Sequence, residues 1–344
     1  MGHTLKLDIY YFELKEIIST RETLVRGGEK RKYHRTKDEI ANFYDVLSKM
    51  YVGEKRDKFL ELFLKDFISS FNNAFVSNQN NTQAISITDN LYKSISSKKN
   101  IISGEFIGGQ TGIDVDIYKT NNAIAKKDTL DRDSVASLSY YYKIWIPYDS
   151  NTGIVMVQSY TKSACTTLFK EKLESWFEEK NYQLSLYKFI PKQYIEKYKR
   201  NGYIYKIQIF TKRRNADMLE PNYSPFAKAK SRVLIDNLRI YFNELFSFGE
   251  DFASKITSDI KQIYGGNNEI YDEPILYYKD ENGRKAHSKL SKIESMLPTI
   301  VLDDNLKDTK TQKPLFVELD KFTNGILERI KEEIGYTPIE NETI

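Results

Sequence analysis

Alternating apolar and polar positions open the chain. Residues 4–14 follow a period of two, which is typical of a β-strand with one buried face. Residues 20–35 are polar and basic and include a glycine pair, so this stretch predicts an exposed loop. Between residues 36 and 75 the apolar positions recur at helical spacing, and Gly53 interrupts them. The pattern predicts an N-terminal strand followed by two helices.

Residues 78–136 show weaker patterns. Two short strands are predicted at 101–108 and 113–119, on either side of a glycine-containing turn. The polar segment 122–136 predicts a linker or a mobile loop. We therefore expect a first domain over residues 1–129, which combines the N-terminal strand, the two helices and a short hairpin.

Residues 138–212 carry the clearest pattern in the chain. Strands at 138–147 and 153–160 flank a turn-forming sequence, and an amphipathic helix over 164–179 follows them. Strand, helix and strand patterns then complete the order β-β-α-β-α-β. We predict an α+β fold with a mixed, mostly antiparallel central sheet around 138–212, a helical N-terminal module and a second domain over residues 130–344.

The C-terminal part of the chain gives shorter signals. A strand at 233–240 competes with a continuous helix, and a helix is predicted at 250–264. A hairpin is predicted at 274–290, where a turn-forming sequence separates two alternating segments. A buried strand near 298–302 and an amphipathic helix over 318–334 complete the prediction. The apolar face of that last helix packs on its own domain or mediates oligomerisation.

Composition narrows the class of protein. The chain has 344 residues, of which 40% are hydrophobic and 29% are charged, as in folded proteins with a sizeable core. Cys165 is the single cysteine, which excludes an internal disulfide and a cysteine-based zinc site and fits a reducing cytoplasm. No apolar run is long enough to span a bilayer. We predict a cytoplasmic protein that binds no membrane.

Candidate catalytic chemistry is sparse. The chain lacks the phosphate-binding, serine-hydrolase, zinc-protease and dinucleotide-binding motifs, and its three histidines are not spaced as metal ligands. One acidic group remains, formed by Glu105, Asp114 and Asp116 with Lys119 nearby. Carboxylates bind Mg²⁺ in nucleases, and a lysine positions the attacking water. The alternative is that these residues form the solvated face of an edge hairpin.

A basic segment gives the stronger candidate site. Residues 188–232 contain twelve lysines and arginines but only three acidic residues, a net charge of +9 in a chain whose total is +4. Aromatic residues are interleaved, and such residues stack on bases while the cations contact phosphates. The alternative is that the aromatic residues are core and the lysines only keep the surface soluble. The candidate DNA or RNA contacts are Lys212, Arg213, Arg214, Tyr203, Tyr205, Lys228, Lys230 and Arg232.

The stretch from Tyr140 to Phe177 contains an aromatic strand that ends in Ile-Pro, a second strand that starts with Gly-Ile, and a helix soon after a Gln-Ser turn. In these features it resembles a segment of uncharacterised bacterial proteins that are encoded among phage-defence genes, of the abortive-infection type. The resemblance covers about a tenth of the chain and identifies no catalytic residues. It implies an antiphage function.

Three hypotheses of function follow. The first is a nucleic-acid-binding component of a bacterial antiphage system that acts with a partner protein. The second is a metal-dependent nuclease that uses Mg²⁺ and the acids between residues 105 and 119. The third is a non-catalytic scaffold that binds only protein. The sequence leaves open whether the protein catalyses any reaction.

Overall fold

The computed structural model describes residues 4–24, 30–120, 122–161, 163, 165–210, 232–237, 239–241, 274–280, 283, 285–289 and 299–337. Contacts between Cα atoms divide the chain into two compact units. Unit 1 comprises Met1–Phe189 and Thr299–Ile344, and unit 2 comprises Ile190–Pro298. Unit 2 is therefore inserted into the sequence of unit 1. These boundaries differ from the predicted boundary between residues 129 and 130.

Unit 1 is built on a ten-stranded antiparallel sheet. Its strands are β1 (Leu5–Leu24), β2 (Lys30–Thr36), β3 (Val76–Ser77), β4 (Gln83–Ser86), β5 (Lys93–Ser96), β6 (Ile101–Gln110), β9 (Ala136–Trp145), β10 (Thr152–Tyr160), β11 (Tyr182–Phe189) and β17 (Ile300–Val301). The order is β11-β1-β10-β9-β6-β4-β3; β2 and β17 also pair with β1, and β5 pairs with β6. A separate hairpin consists of β7 (Val115–Lys119) and β8 (Asn122–Leu130).

Helices cover both faces of this sheet, so its central strands are buried on both sides. They are α1 (Phe43–Met50), α2 (Phe59–Ser69), α3 (Thr166–Glu179) and α5 (Phe316–Glu333); α4 (Lys192–Asn201) belongs to unit 2. In β9, Tyr142 packs against Phe169 of α3, with ring centroids 5.2 Å apart. The neighbouring residue points to the opposite face, where the Tyr141 hydroxyl donates to Asp320 of α5 at 2.7 Å.

The phenylalanines spaced four residues apart in α2 form one side of an aromatic core. Phe63 and Phe67 contact Trp176 of α3, with centroids 4.9 and 5.8 Å apart, and all three side chains are buried. The spacing of four residues aligns these rings on one helical face. Two helices that were predicted from periodicity alone are thereby fixed against each other.

The predicted fold class is wrong. The molecule is sheet-rich, and the N-terminal region is not a helical module, because β1 is a central strand of the ten-stranded sheet. The predicted β-β-α-β-α-β unit is not a single sheet either, since its last strand lies in unit 2. The error has one physical cause. Antiparallel pairing joins β1 to β10 and β11, which lie more than a hundred residues away in the chain, and periodicity does not reveal such pairs.

Two segments that were predicted as loops are strands. Residues 20–35 include the end of β1 and most of β2, which pair from Ile17–Thr36 to Leu24–Lys30. Residues 122–130 form β8, which pairs with β7. The large apolar side chains that the structure describes on these ribbons are exposed or half-buried, and Ile18, Tyr33, Val115 and Tyr118 are among the exposed ones. Backbone hydrogen bonds form the ribbons, and a buried apolar face, which would give a hydrophobic pattern, is absent from their described side chains.

Unit 2 contains a five-stranded antiparallel sheet. Its strands are β12 (Tyr203–Phe210), β13 (Arg232–Ile235), β14 (Ile240–Tyr241), β15 (Ile275–Lys279) and β16 (Lys285–Lys289), in the order β13-β12-β15-β16 with β14 also on β12. The predicted hairpin at 274–290 is confirmed by the pairing of β15 with β16. The helix predicted at 250–264 lies outside the described residues.

The end of the chain agrees with the prediction. β17 lies inside the predicted strand 298–302, and α5 matches the predicted helix 318–334. No helix in the part of the chain that the structure describes is long and apolar enough to cross a membrane.

Candidate nucleic-acid interface

Strand β12 has one apolar face and one polar, aromatic face. Ile204, Ile207 and Ile209 are buried, with 0%, 5% and 2% of their surface exposed. Tyr203 and Tyr205 are half-buried, and the pairing of β12 with β15 shifts by one residue at Tyr205. The shift is typical of a β-bulge, which re-aims the side chain at that position. One face of the sheet therefore belongs to the core of unit 2, and the other contacts solvent.

Cross-strand pairing builds rows on the solvent side. Tyr203 pairs with Lys279, which pairs with Lys285; in the next row Lys206 pairs with Tyr277, which pairs with His287. Directly opposed residues have side chains on the same face. We use the name "outer face" for the solvent-side group formed by Tyr203, Tyr205, Lys206, Arg239, Tyr241, Tyr277, Lys279, Lys285, His287 and Lys289.

Cations lie against the aromatic rings of the outer face. The Arg239 guanidinium is 5.2 Å from the ring centroid of Tyr203 and 5.8 Å from that of Tyr241. The Lys206 ammonium is 4.4 Å from the ring of Tyr277. Contacts within about 6 Å are attractive, because the ring quadrupole is negative at its face. The rings and the positive charges therefore form one continuous surface.

Tyr203 shows the electrostatic character of this surface. A hydrogen bond with the Lys279 side chain, reinforced by the charges of Lys279 and Arg239, lowers the pKa of the Tyr203 phenol. A lowered phenol pKa means that the surroundings favour negative charge at this position. The same surroundings favour the phosphate oxygens of a ligand.

Acidic residues are absent from the described strands of this sheet. Their sequences contain five lysines and arginines but no aspartate or glutamate. Asp236 and Asp280 lie beside the strands. Half-exposed aromatic rings and cations on described strands that themselves contain no carboxylate match the requirements of single-stranded nucleic acid, in which bases stack on rings and phosphates contact lysine and arginine.

The predicted basic site is described in part. Tyr203 and Tyr205 both lie on the outer face, and their rings are accompanied by Arg239 and Lys285 respectively. The backbone of Arg232 begins β13, opposite Phe210. The remaining predicted contacts lie outside the described residues: Lys212, Arg213, Arg214, Lys228 and Lys230.

Sequence reasoning missed the second half of the outer face. Tyr277 and His287 are partners across the hairpin β15–β16, with ring centroids 5.5 Å apart. The Tyr277 hydroxyl donates to Gln208 of β12 at 3.0 Å, which fixes the ring. The available signal was the sequence of the hairpin strands, in which aromatic and basic residues occur without acids.

The three carboxylates of the predicted acidic site make separate local contacts. Asp116 pairs with Lys126 at 2.9 Å, and the Asp114 carboxylate accepts from the Arg132 backbone at 2.7 Å. Glu105 lies on β6, whereas Asp116 and Lys119 lie on the separate β7–β8 hairpin. Among the described residues there is no group of three or more histidine, cysteine or acidic side chains that would hold a metal ion.

Comparison with known proteins returns no match: no family model, no curated protein and no solved structure matches the chain. The assignment of function therefore rests on the residues of the chain and their arrangement.

Proposed function

We propose that the protein binds single-stranded nucleic acid through the outer face of unit 2. The observation that supports this proposal is the contact between cations and half-exposed aromatic rings on a sheet whose described strands contain no acids. Stacking on a ring contributes about 1–3 kcal/mol per base, and lysine and arginine neutralise the phosphates between the bases.

We propose further that the protein acts in the bacterial cytoplasm, in an antiphage system and with a partner protein. The support is the resemblance of residues 140–177 to a segment of phage-defence-associated proteins. The single thiol, Cys165, is buried, and burial raises its pKa, so it is unreactive in a reducing compartment. Purification from the native host, with identification of the bound nucleic acid and proteins, tests this context.

The binding proposal is tested with the double variant Lys279→Ala/Lys285→Ala. Binding of labelled single-stranded DNA and RNA is measured by fluorescence anisotropy over a range of salt concentrations. We expect weaker binding to all sequences, and the slope of log affinity against log salt falls by about 0.7 for each phosphate that the variant no longer neutralises. The two lysines are exposed or half-exposed, so the fold stays intact.

The matched control removes the same charge from unit 1. Lys93→Ala/Lys321→Ala deletes two exposed lysines that are paired with Asp89 and Glu318. We expect the control to keep the salt slope of the wild type. Equal weakening by both double variants would mean that net charge, and not the outer face, determines binding. Absence of binding by the wild type at low salt would overturn the proposal and favour the protein scaffold.

A further inference from the structure

Unit 1 contains an open cationic cavity of about 470 Å³. Two short turns and a buried ring line it. The first turn contributes Lys55, Arg56 and Asp57, the second contributes Ser97, Lys98 and Asn100, and the ring is that of Tyr148. The volume lies in the range of small-molecule sites.

The second turn is held by Asn100. This residue adopts the left-handed conformation at φ 55° and ψ 41°, which asparagine tolerates better than most residues. Its carbonyl accepts a hydrogen bond from the Ile146 backbone at 2.9 Å, just after β9. Asn100 is buried, whereas Ser97 and Lys98 are exposed. The sheet therefore holds the turn that presents Lys98.

Arg56 is positioned by aromatic rings. Its guanidinium lies 4.9 Å from the ring centroid of Tyr148 and 5.7 Å from that of Tyr44. The Tyr148 hydroxyl donates to the carbonyl of Arg56 at 3.3 Å, so both ends of the residue contact the same side chain. Stacking leaves the edge of the guanidinium, with its fork of N–H donors, available to a ligand.

Among the residues that the structure describes, the cations at this cavity have no carboxylate partner. Within the described part of the chain, Lys55, Arg56 and Lys98 form no ion pair with a carboxylate. Asp57 is the one acid of the lining, so three cations face one carboxylate. An arginine fork and two lysines around a cavity of this size suit a phosphate group, which accepts several charge-assisted hydrogen bonds at once.

We infer that this cavity binds a small phosphorylated molecule through its phosphates. Arg56 and Lys98 contact the phosphate oxygens from the two turns, and Lys55 adds charge at the first turn. The phosphate group belongs either to a free nucleotide or to the 5′ end of a nucleic-acid strand. The inference concerns unit 1 and does not depend on the outer face of unit 2.

The test is calorimetric titration of the full chain with inorganic pyrophosphate and with ADP. We expect the wild type to bind, and Lys98→Glu to weaken binding by about tenfold or more, which corresponds to at least about 1.4 kcal/mol. Arg56→Met removes the guanidinium beside Tyr148 and keeps an unbranched side chain at an exposed position, so it is expected to weaken binding to a similar extent without loss of the fold. Thermal unfolding checks that each variant is folded.

Lys99→Glu is the matched control, because it changes the net charge by the same amount and Lys99 is the exposed neighbour of Lys98 that does not line the cavity. We expect it to bind pyrophosphate as the wild type does, within about twofold. The outer-face variant Lys279→Ala/Lys285→Ala is also expected to bind pyrophosphate normally, so failure of one proposal is distinguishable from failure of the other.

Oligonucleotides with and without a 5′-phosphate distinguish the two phosphate sources. Tighter binding of the phosphorylated strand that depends on Lys98 identifies a strand end, and pyrophosphate or ADP binding without that difference identifies a free nucleotide. The inference is overturned when neither the small anions nor the 5′-phosphate show dependence on Lys98, or when Lys99→Glu weakens binding as much as Lys98→Glu.

Discussion

The two sheets of this protein use tyrosine and lysine in opposite ways. In unit 1, β9 carries Tyr140, Tyr141 and Tyr142 in succession, all buried, followed by Lys143 with 1% of its surface exposed. In unit 2, Tyr203, Tyr277 and Lys206 are half-exposed on the outer face. Helices cover both faces of the first sheet, whereas in the second the residues of the outer face are half-exposed or exposed. Tyrosine and lysine therefore belong to the core in the first sheet and to the surface in the second.

The phenol pKa values show the same contrast. Burial raises the pKa of Tyr140 and of Tyr142 above the usual range, because a charged phenolate loses its hydration. At Tyr203 the hydrogen bond with Lys279 lowers the pKa instead. The pKa of tyrosine is thus determined mainly by desolvation in the core of unit 1 and by neighbouring cations at Tyr203 in unit 2.

Truncation of the aromatic core is expected to have the largest effect. Trp176→Ala removes a side chain that is 1% exposed and contacts Phe63, Phe67 and Phe177. We expect a loss of about 3–5 kcal/mol in the free energy of unfolding. Both tryptophans lie in unit 1, so the fluorescence of Trp145 still reports the transition in the variant.

The matched change in unit 2 is Tyr277→Ala. We expect it to cost about 1 kcal/mol or less, measured by hydrogen exchange of β12 and β15, because the ring is half-exposed. It should instead weaken nucleic-acid binding. A loss of stability as large as that of Trp176→Ala would show that the outer face is part of a core, and the contrast between the sheets would fail.

The buried lysine gives the next largest effect. The Lys143 ammonium is 3.3 Å from Asp320 and also donates to the Asp320 carbonyl and to Asn324. Burial is the main influence and lowers the pKa of Lys143 to about 8, against a favourable contribution from Asp320. Below pH 8 Lys143 is charged in the folded protein, and its burial costs free energy. Between pH 8 and about 10.5 Lys143 is neutral in the folded protein but still charged in the unfolded chain.

The stability of the wild type is therefore expected to gain from Lys143 as the pH rises from 8 towards 10.5, by about 3 kcal/mol in total. Lys143→Met should lack this gain. The free energy of unfolding in urea is measured for both proteins at several pH values, and the difference between them isolates the contribution of Lys143. Cys165 and the buried tyrosines contribute equally to both proteins: their pKa values are raised in the folded state, so they lower the stability at high pH, where they ionise in the unfolded chain. A difference that does not change between pH 7 and 10 would show that Lys143 is not desolvated in this way.

The smallest effect concerns the outer face. Lys279→Met removes the side chain whose hydrogen bond lowers the pKa of Tyr203, so that pKa should rise towards its ordinary value. Spectroscopic titration of the tyrosines, with Tyr203→Phe to assign the signal, measures the change. Lys289→Met removes a lysine from the same face, two rows away, and should leave the titration of Tyr203 unchanged.

Periodicity was sufficient for elements that carry their own apolar face. The helix at 164–179, the hairpin at 274–290 and the last helix were all predicted correctly, because burial leaves a repeating pattern within each segment. Alternation predicted that Tyr203 and Tyr205 share one face of β12, but the bulge at Tyr205 interrupts the alternation and brings Lys206 to that face as well. Polar ribbons such as β2 and β8 leave no such pattern and were predicted as loops.

The sequence by itself determined the local elements that bury an apolar face, the single thiol and the basic, aromatic character of β12. Only the tertiary structure decided which strands are neighbours, because antiparallel pairing depends on closing loops between distant segments and not on local preference. That pairing brings Tyr277 and Lys279 beside Tyr203, and Lys143 beside Asp320, 177 residues further along the chain. The tertiary structure also brings Arg56 and Lys98 to one open cavity. The sequence shows which charged and aromatic residues the chain has. A binding surface also requires these residues to lie close together, and only the formation of the sheets brings them close.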